Sequence, residues 1–247
     1  MTTRAGGNRP FLSVVIPVYR GEKVISSTIE AIERHASERQ WEIEIILATS
    51  EGGDRTLELG REAVARYDNV HLLDTTAQFG KGGAVKAGMM AARGDVCAFI
   101  DADNAAPFEQ IEKGLPLLGR YDIVIGSRYV PGGDPGRRRL SRTVVSRAGN
   151  LAIKLVLGLP YADTRAPLKI FRGEVAKRLF AASRLRGFGF DSEVLFLAKR
   201  FGYSVAELPV SWQPFEESTV NVRVEVFRSV AELIQVRWNW LRGRYGD

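Results

Sequence analysis

Short unbroken apolar runs alternate along this chain with longer stretches whose apolar residues fall three or four apart. Phe11–Val18 reads FLSVVIPV, and Val96–Ile100 reads VCAFI. Apolar runs of this length, bounded by polar residues, are strands covered on both faces. Ile43–Ala48, Val70–Leu73, Asp122–Gly126 and Ser204–Val210 are predicted as further strands. Between them, Glu22–His35 has helical spacing, with Val24, Ile25, Thr28, Ile29 and Ile32 on one side. Thr56–Tyr67, the small-residue segment Gly82–Ala92 and Ile111–Leu118 are the next predicted helices. Strand and helix in alternation mean βαβ units and an α/β fold, a mostly parallel sheet flanked by helices.

The pattern changes after residue 130. Pro131–Arg142 (PGGDPGRRRLSR) joins chain breakers to a basic cluster and reads as a loop. Thr143–Leu157 is predicted as an amphipathic helix with Val144, Leu151 and Leu155 on its apolar face. Ser192–Arg200 is a further helix, and Phe227–Leu241 a terminal one with the stripe Phe227, Val230, Ile234, Trp238 and Leu241. No element is assigned to 158–191. The chain therefore divides into a polar leader over 1–10, a main body over 11–221 and a C-terminal helix region over 222–247.

The strongest chemical signal is Asp101-Ala102-Asp103, directly after the apolar run that ends at Ile100. Alternate residues of an extended segment share a side, so the two carboxylates are expected to point together. Hard oxygen pairs with open positions suit Mg²⁺ or Mn²⁺, which keep waters and take further oxygens from substrate phosphates. Ligands of open α/β sheets sit at the carboxyl ends of strands, where this pair falls. A solvated turn is the bland alternative for the pattern taken alone.

Composition narrows the field. The chain has 247 residues, 45% hydrophobic and 26% charged, in the range of a globular protein with a sizeable core. Its net charge of +6 admits nucleic acid, anionic lipid and phosphorylated substrates. No nucleic-acid-binding module is recognisable, so charge is the sole argument for such a partner. The one cysteine, Cys97, lies inside an apolar run; it has no internal disulfide partner and fits a reducing cytoplasm. The leader MTTRAGGNRP lacks an apolar core, so no signal peptide is expected, and no stretch approaches the ~20 apolar residues of a spanning helix. A cytoplasmic protein, with peripheral contact to a membrane left open, is the expectation.

Further candidates surround the aspartate pair. Pro17, Tyr19 and Glu22 close the first strand, a nucleotide position in doubly wound sheets. Gly80-Lys81-Gly82-Gly83 opens a helix, where backbone can approach an anion and Lys81 adds a point charge. It is not a Walker A loop, because the spacing and the Lys-Ser/Thr pair are absent. Arg137, Arg138, Arg139, Arg142 and Arg147 form a basic group whose guanidinium forks suit phosphate. A solvated basic loop before a core helix is its equal alternative. Asp191 and Glu193 fall at a helix start, where carboxylates are favoured as caps. His35 and His71 read as structural.

Taken together, SVVIPVY with Glu22, GKGGAVKAG, GD followed by IDAD, and IVIGSR resemble the family 2 glycosyltransferases, and within them the polyprenyl-phosphate (dolichyl-phosphate) hexose synthases. The resemblance runs on through Ser146–Asn150, Asp163-Thr164, Lys169–Phe171, Gly189–Glu193 and Glu207–Val210, covering about Phe11 to Ser218; GKGGAVKAGM and DADNA look nearest the glucosyl branch. It implies a GT-A-type (Rossmann-like) domain over 11–221, an inverting transfer of glucose or mannose from a UDP- or GDP-hexose, and a divalent metal. Pro17, Tyr19, Glu22, Asp54 and Lys81 would border the donor. Asp101 would lie near ribose and sugar and Asp103 on metal and diphosphate, the two serving as metal ligands. Ser127 and Arg128 of the GSR motif, with Arg139 and Arg142, would meet phosphate of the acceptor. In relatives with hydroxyl acceptors an aspartate near Asp191 is a general base; an ionised phosphate acceptor needs little base catalysis, leaving Asp191 to position acceptor or sugar.

Two departures stand out. Where the family has Asp-Thr-Gln-Cys-Gly-Phe-Lys, this chain keeps Asp163, Thr164 and Lys169 and replaces the centre. Where it has Asp-Asp-Gly-Ser, this chain reads Ala48-Thr49-Ser50-Glu51-Gly52-Gly53-Asp54, so the paired aspartates that touch the base are missing and Asp54 reads as a helix cap. The base and the sugar stay open, as does the choice between a lipid and a soluble acceptor. A nucleotide-sugar-binding protein without transferase activity also stands as an alternative, motivated by the missing aspartates. Oligomeric state and the role of the terminal helix are not readable.

Overall fold

The computed structural model describes residues 9–78, 80–136, 140–166, 168–212 and 222–246, with side chains excepted over 140–148 and 222–230. The strands are β1 (Leu12–Val18), β2 (Ile43–Thr49), β3 (Val70–Asp74), β4 (Val96–Phe99), β5 (Ile123–Ser127), β6 (Lys169–Arg172) and β7 (Val205–Pro209). The helices are α1 (Ile25–Arg39), α2 (Thr56–Arg66), α3 (Gly80–Ala91), α4 (Glu109–Gly114), α5 (Leu140–Leu157), α6 (Gly173–Ala182), α7 (Phe190–Arg200) and α8 (Val222–Leu241). They build a seven-stranded sheet in the order β3-β2-β1-β4-β6-β5-β7. All pairings are parallel except those of β6, which runs antiparallel to both β4 and β5.

The apolar runs are buried as the pattern requires. Every residue of β1 and of β2 is buried. Alternation sends Val14 and Ile16 to one face, against Ile25, Ile29 and Ile32, while Val15 faces α3 and the C-terminal helices on the other. Each expected strand and helix is present within a few residues at its ends. The helix expected over Ile111–Leu118 is split, α4 passing into a 3₁₀ turn at Leu115–Gly119, with Pro116 in its first turn.

Two elements were not anticipated. β6 is only four residues, Lys-Ile-Phe-Arg, with charged ends and two apolar residues, too short to stand out as a run. α6 follows at once, burying Val175, Ala176, Leu179 and Phe180. The insertion matters because it sets Lys169 beside Phe99 at the carboxyl end of β4.

The terminal helix also differs from expectation. α8 packs on α5 and α7 and buries Leu233, Val236 and Asn239. Of the predicted stripe, Ile234, Trp238 and Leu241 are exposed; the side chains of Phe227 and Val230 lie outside the described residues. In α5, Ile153 and Leu157 are buried while Leu151 and Leu155 are exposed. On both helices the core took the neighbouring apolar row, because the stripe was wider than one contact face and periodicity alone does not choose within it.

Candidate active site

Strand order reverses between β1 and β4, and the crevice at their carboxyl ends is the expected ligand position in such a sheet. Asp101 and Asp103 stand there, but not as alternate residues of a strand. β4 ends at Phe99, and the chain turns, with the Asn104 N–H donating to the Asp101 carbonyl at 3.1 Å. Asn104 has a positive φ of 49°, a conformation asparagine tolerates better than most residues. Its side-chain oxygen accepts from the Phe108 N–H at 2.9 Å, Asp103 accepts from the Ala105 N–H at 3.1 Å, and Thr28 donates to the Ala102 carbonyl at 2.7 Å. The turn, tied from both sides, is what brings the two carboxylates together.

A charged cluster has formed around this turn. Lys81 lies 2.5 Å from Asp101, both side chains about a quarter exposed. Burial works against the Lys81 ammonium, yet Asp101, then Asp191 and Asp103, outweigh it and hold its pKa above the ordinary lysine value. Burial and the neighbouring Asp101 charge push the Asp103 carboxyl up from its usual range, against the Ala105 N–H and Lys81. The like charge of Asp101 acting on Asp103 favours a bound cation there. Their hard oxygens fit Mg²⁺ or Mn²⁺. Among the described residues no group of three or more His, Cys, Asp or Glu side chains converges to make a closed cage, so the remaining positions would go to water and substrate oxygens.

Asp191, in the first turn of α7, faces the same cluster and pairs with Lys169 at 2.6 Å. Lys169 is fully buried, donates also to the Ala166 carbonyl at 2.7 Å, and lies 5.3 Å from the centre of the Phe99 ring. Glu193, two residues on, does not join the site. It is buried beneath the loop and accepts from the Arg184 and Leu185 N–H groups and, at 2.7 Å, from the Tyr245 hydroxyl. Sequence spacing gave both carboxylates one role; the tertiary contacts separate them.

The glycines flanking Lys81 serve packing. Gly80 has φ of +77°, and a Cβ there would meet the Arg186 carbonyl at 2.5 Å. One at Gly82 would meet Phe190 and the Gly187 carbonyl, and the Gly83 N–H donates to the Arg186 carbonyl at 3.2 Å. The start of α3 is thus closed by the loop leading to Asp191, rather than held open for an anion. The close approach packs the start of α3 onto the loop that leads to Asp191, whose charge acts on Lys81.

At the end of β1, Tyr19 is exposed, and Glu22 accepts from the Arg55 N–H at 3.0 Å. Asp54 was expected to cap α2; the N-cap is Arg55, and Asp54, one residue earlier, accepts from the Thr56 N–H and hydroxyl at 3.3 and 2.8 Å and so steadies the start of the helix. Pro17 is buried within β1. Arg20 donates to the Gly52 carbonyl at 2.8 Å and so joins the ends of β1 and β2 where the paired aspartates are missing. Thr49 is buried there, and Glu51 is exposed.

Arg128 is bound to Asp163 by two side-chain hydrogen bonds of 2.6 and 2.9 Å, and both side chains are nearly or fully buried. Burial opposes each charge, but the pairing prevails: Arg128 is held above and Asp163 below its usual range. The Ser127 hydroxyl is buried without a hydrogen-bond partner among the described residues. Beside them lies a cavity of about 510 Å³, lined by Arg128, Tyr129, Asn150, Leu151 and Lys154 among others. Arg139 lies outside the described residues; Arg142 falls in α5 and its side chain lies outside them too.

The sequence profile described as Glycosyl transferase family 2 matches residues 13–180, more than half of the chain. This protein belongs to glycosyl transferase family 2. The chain is 25% identical, over 94% of its length and 76% of the relative's, to a dolichyl-phosphate beta-glucosyltransferase of Dictyostelium discoideum. It is 29% identical, over 94% of its length and 98% of the relative's, to an undecaprenyl-phosphate mannosyltransferase of Micrococcus luteus. Among solved structures, glucosyl-3-phosphoglycerate synthase of Mycobacterium tuberculosis, in complex with Mn²⁺, UDP and phosphoglyceric acid, superposes with a TM-score of 0.68 at 20% identity, covering 96% of this chain and 79% of that one. That likeness shows the GT-A-type fold.

For this family 2 glycosyltransferase, the structure brings Asp101, Asp103, Lys81 and Asp191 into one cluster and sets Pro17, Tyr19, Glu22 and Asp54 along the neighbouring strand ends. Lys169 was the contributor left without a role. A lysine followed by Ile170 and Phe171 in an otherwise apolar setting was the signal available.

Proposed function

We propose that this glycosyltransferase moves a hexose from a nucleotide diphosphate sugar to a polyprenyl phosphate, with inversion at the sugar. The observation that carries the reading is the cluster of Asp101, Asp103, Lys81 and Asp191 at the strand-order switch, with Arg128, on which the Asp101 charge acts, lining an open cavity edged by Lys154. The likeness to enzymes named for dolichyl and undecaprenyl phosphate supports the acceptor class.

In this reading Pro17, Tyr19, Glu22 and Asp54 border the nucleoside, and Asp101 and Asp103 hold Mg²⁺ or Mn²⁺. A bound metal offsets charge on the departing diphosphate. Lys81 supplies a fixed positive charge beside the same oxygens. An acceptor phosphate oxygen forms the new bond to the anomeric carbon as the bond to the nucleoside diphosphate breaks, and that diphosphate leaves with the electron pair. A single displacement inverts the centre. The acceptor is already ionised, so no proton need be removed. That agrees with Asp191 being engaged by Lys169; Asp191 then orients sugar or acceptor. Ser127, Arg139 and Arg142 meet the acceptor phosphate, and Arg128 braces that side through Asp163. The enzyme works against the cytoplasmic face of the membrane that holds its acceptor.

The test is calorimetric titration of UDP, GDP and their glucose and mannose conjugates, with and without Mn²⁺, on the wild type and Asp103→Ala, followed by transfer assays. Metal-dependent binding of one donor and its transfer to polyprenyl phosphate are expected. Transfer only to soluble phosphorylated acceptors overturns the lipid assignment. Binding with no transfer to either class leaves a nucleotide-sugar-binding protein, and no binding at all removes donor recognition.

A further inference from the structure

Arg20, just beyond the carboxyl end of β1, is held in an uncommon backbone conformation. Its φ is +53°, in the left-handed region. Asparagine enters that region readily, whereas an arginine persists there where its surroundings hold it, and such outliers gather at ligand sites. The surroundings do hold it. Arg20 Nε donates to the Gly52 carbonyl at 2.8 Å. The arginine stem lies on Gly52, where a Cβ would stand 3.0 Å from Arg20 Cγ. The guanidinium carbon lies 5.5 Å from the centre of the exposed Tyr19 ring. Backbone, stem and one N–H are thus fixed, while the two Nη groups meet no acceptor among the described residues and the side chain faces solvent.

The acidic groups of the same edge are committed to the protein. Glu22 accepts from the Arg55 N–H, and Asp54 from the Thr56 N–H and hydroxyl. Glu51, between β2 and α2, is exposed. A base arriving here therefore meets a fork of N–H groups, and bases differ in what they offer to one. Guanine presents N7 and O6, two adjacent acceptors. Adenine sets an amino group beside N7, cytosine presents an amino group, and uracil presents the single oxygen O4. Of these, guanine alone takes two parallel bonds from a guanidinium.

We propose that Arg20 determines donor specificity by reading the O6 and N7 edge of guanine, so that the sugar donor is a guanosine diphosphate hexose. The inference rests on the proposed function for the place of the nucleoside at the end of β1, and deepens it by choosing the base. Gly52 belongs to the device, because a side chain there would press on the arginine stem and turn the fork. Lysine in place of Arg20 would keep the charge and lose the fork.

The experiment is calorimetric titration, with Mn²⁺ present, of GDP, UDP, inosine diphosphate and the GDP analogue with carbon in place of N7. It compares the full wild-type chain with Arg20→Asn, Arg20→Lys and Gly52→Ala. Asparagine suits the left-handed backbone and Arg20 is exposed, so Arg20→Asn should keep the melting temperature. Wild type should prefer GDP to UDP by at least roughly tenfold. Inosine diphosphate, which keeps O6 and N7 and lacks the exocyclic amino group, should bind like GDP, and the analogue without N7 should bind about fivefold more weakly. Arg20→Asn and Arg20→Lys should bring GDP down to the level of UDP and leave UDP unchanged, with Gly52→Ala between them and the wild type. A wild-type preference for UDP overturns the proposal. So does an equal loss of both nucleotides in Arg20→Asn, which would put Arg20 on phosphate or ribose. Weakened inosine diphosphate with undiminished binding of the analogue would assign the base to a carboxylate such as Glu51, and overturns it too. Binding of no nucleotide overturns the base and the donor assignment together. Guanine-selective binding without transfer to any polyprenyl phosphate would overturn the transferase reading and leave the role of Arg20 standing.

Discussion

Two charged groups sit near the same edge of the sheet and behave differently. Around Asp101, lysines and carboxylates alternate, partly open to solvent, and Asp103 is left beside a like charge. At Arg128 and Asp163, the fork is closed: two short side-chain bonds, a further bond from the Arg128 N–H to Asp163 at 3.2 Å, and almost no exposure. The first arrangement is open on several sides; the second commits Asp163 and two guanidinium N–H groups of Arg128 to each other, while Arg128 still lines the cavity. An arginine in a phosphate-associated motif can thus be held by an internal carboxylate while still facing the cavity. Here its guanidinium fixes the segment that turns from β5 into the cavity wall.

The sharpest break of this comparison is to remove one member of each group. Asp103→Ala should lower transfer on the order of 10²–10³-fold and abolish metal-dependent donor binding, with an unchanged melting temperature. A fall in melting temperature that accounts for the loss would place Asp103 with the closed group. Arg128→Met should do the reverse, costing about 3–5 kcal/mol of stability because it strands a buried carboxylate. Arg128→Leu/Asp163→Leu should recover most of that loss in denaturant titrations; if it does not, the pair is more than a brace.

Lys169→Met tests which group the Lys169–Asp191 pair resembles. It is buried like the closed group yet adjoins the open one. A stability loss of about 3 kcal/mol is expected. Transfer should also fall when assayed well below the lowered melting temperature, since Asp191 loses its anchor; unchanged turnover there would make the pair purely structural.

Acid sharpens the contrast further. Burial raises the Asp163 pKa, but Arg128 outweighs it, so the folded value lies below the ordinary 3.8. A depressed carboxylate contributes stability that is complete above its unfolded value and is lost as pH falls through the folded one. Wild-type stability should therefore drop below about pH 4, and Asp163→Asn, less stable at neutral pH, should show a shallower decline. An identical acid slope in both would remove Asp163 from the account. The smallest effect should come from Asp54→Ala, about 1 kcal/mol through the start of α2, with donor affinity reporting any further contact to the nucleoside.

Much of this architecture was visible in the chain itself. Unbroken apolar runs and helical spacing marked most of the sheet and its flanking helices, because burial on two faces demands a local composition that a window of residues displays. The Asp101-Ala102-Asp103-Asn104 segment announced a site because polar residues rarely follow such a run without cause, and Asn104 suited the turn that followed. Asp54 before Thr56 was readable as belonging to a helix start for the same local reason, although the N-cap itself is Arg55.

Tertiary structure decided what depends on distant partners. β6 has four residues and no pattern of its own; it is a strand because β4 and β5 supply hydrogen bonds on both sides. Glu193 and Asp191 share a helix turn, and only the backbone around Arg184 and the hydroxyl of Tyr245 draw one away from the site. The glycines flanking Lys81 looked made for an anion, and the loop at Arg186 fills the space instead. On α5 and α8 periodicity disclosed apolar faces, but the fold chose which rows to bury. Sequence fixes what a residue can do within a turn or two of chain, whereas burial and charge pairing are set by groups many residues away, brought close only when the sheet closes.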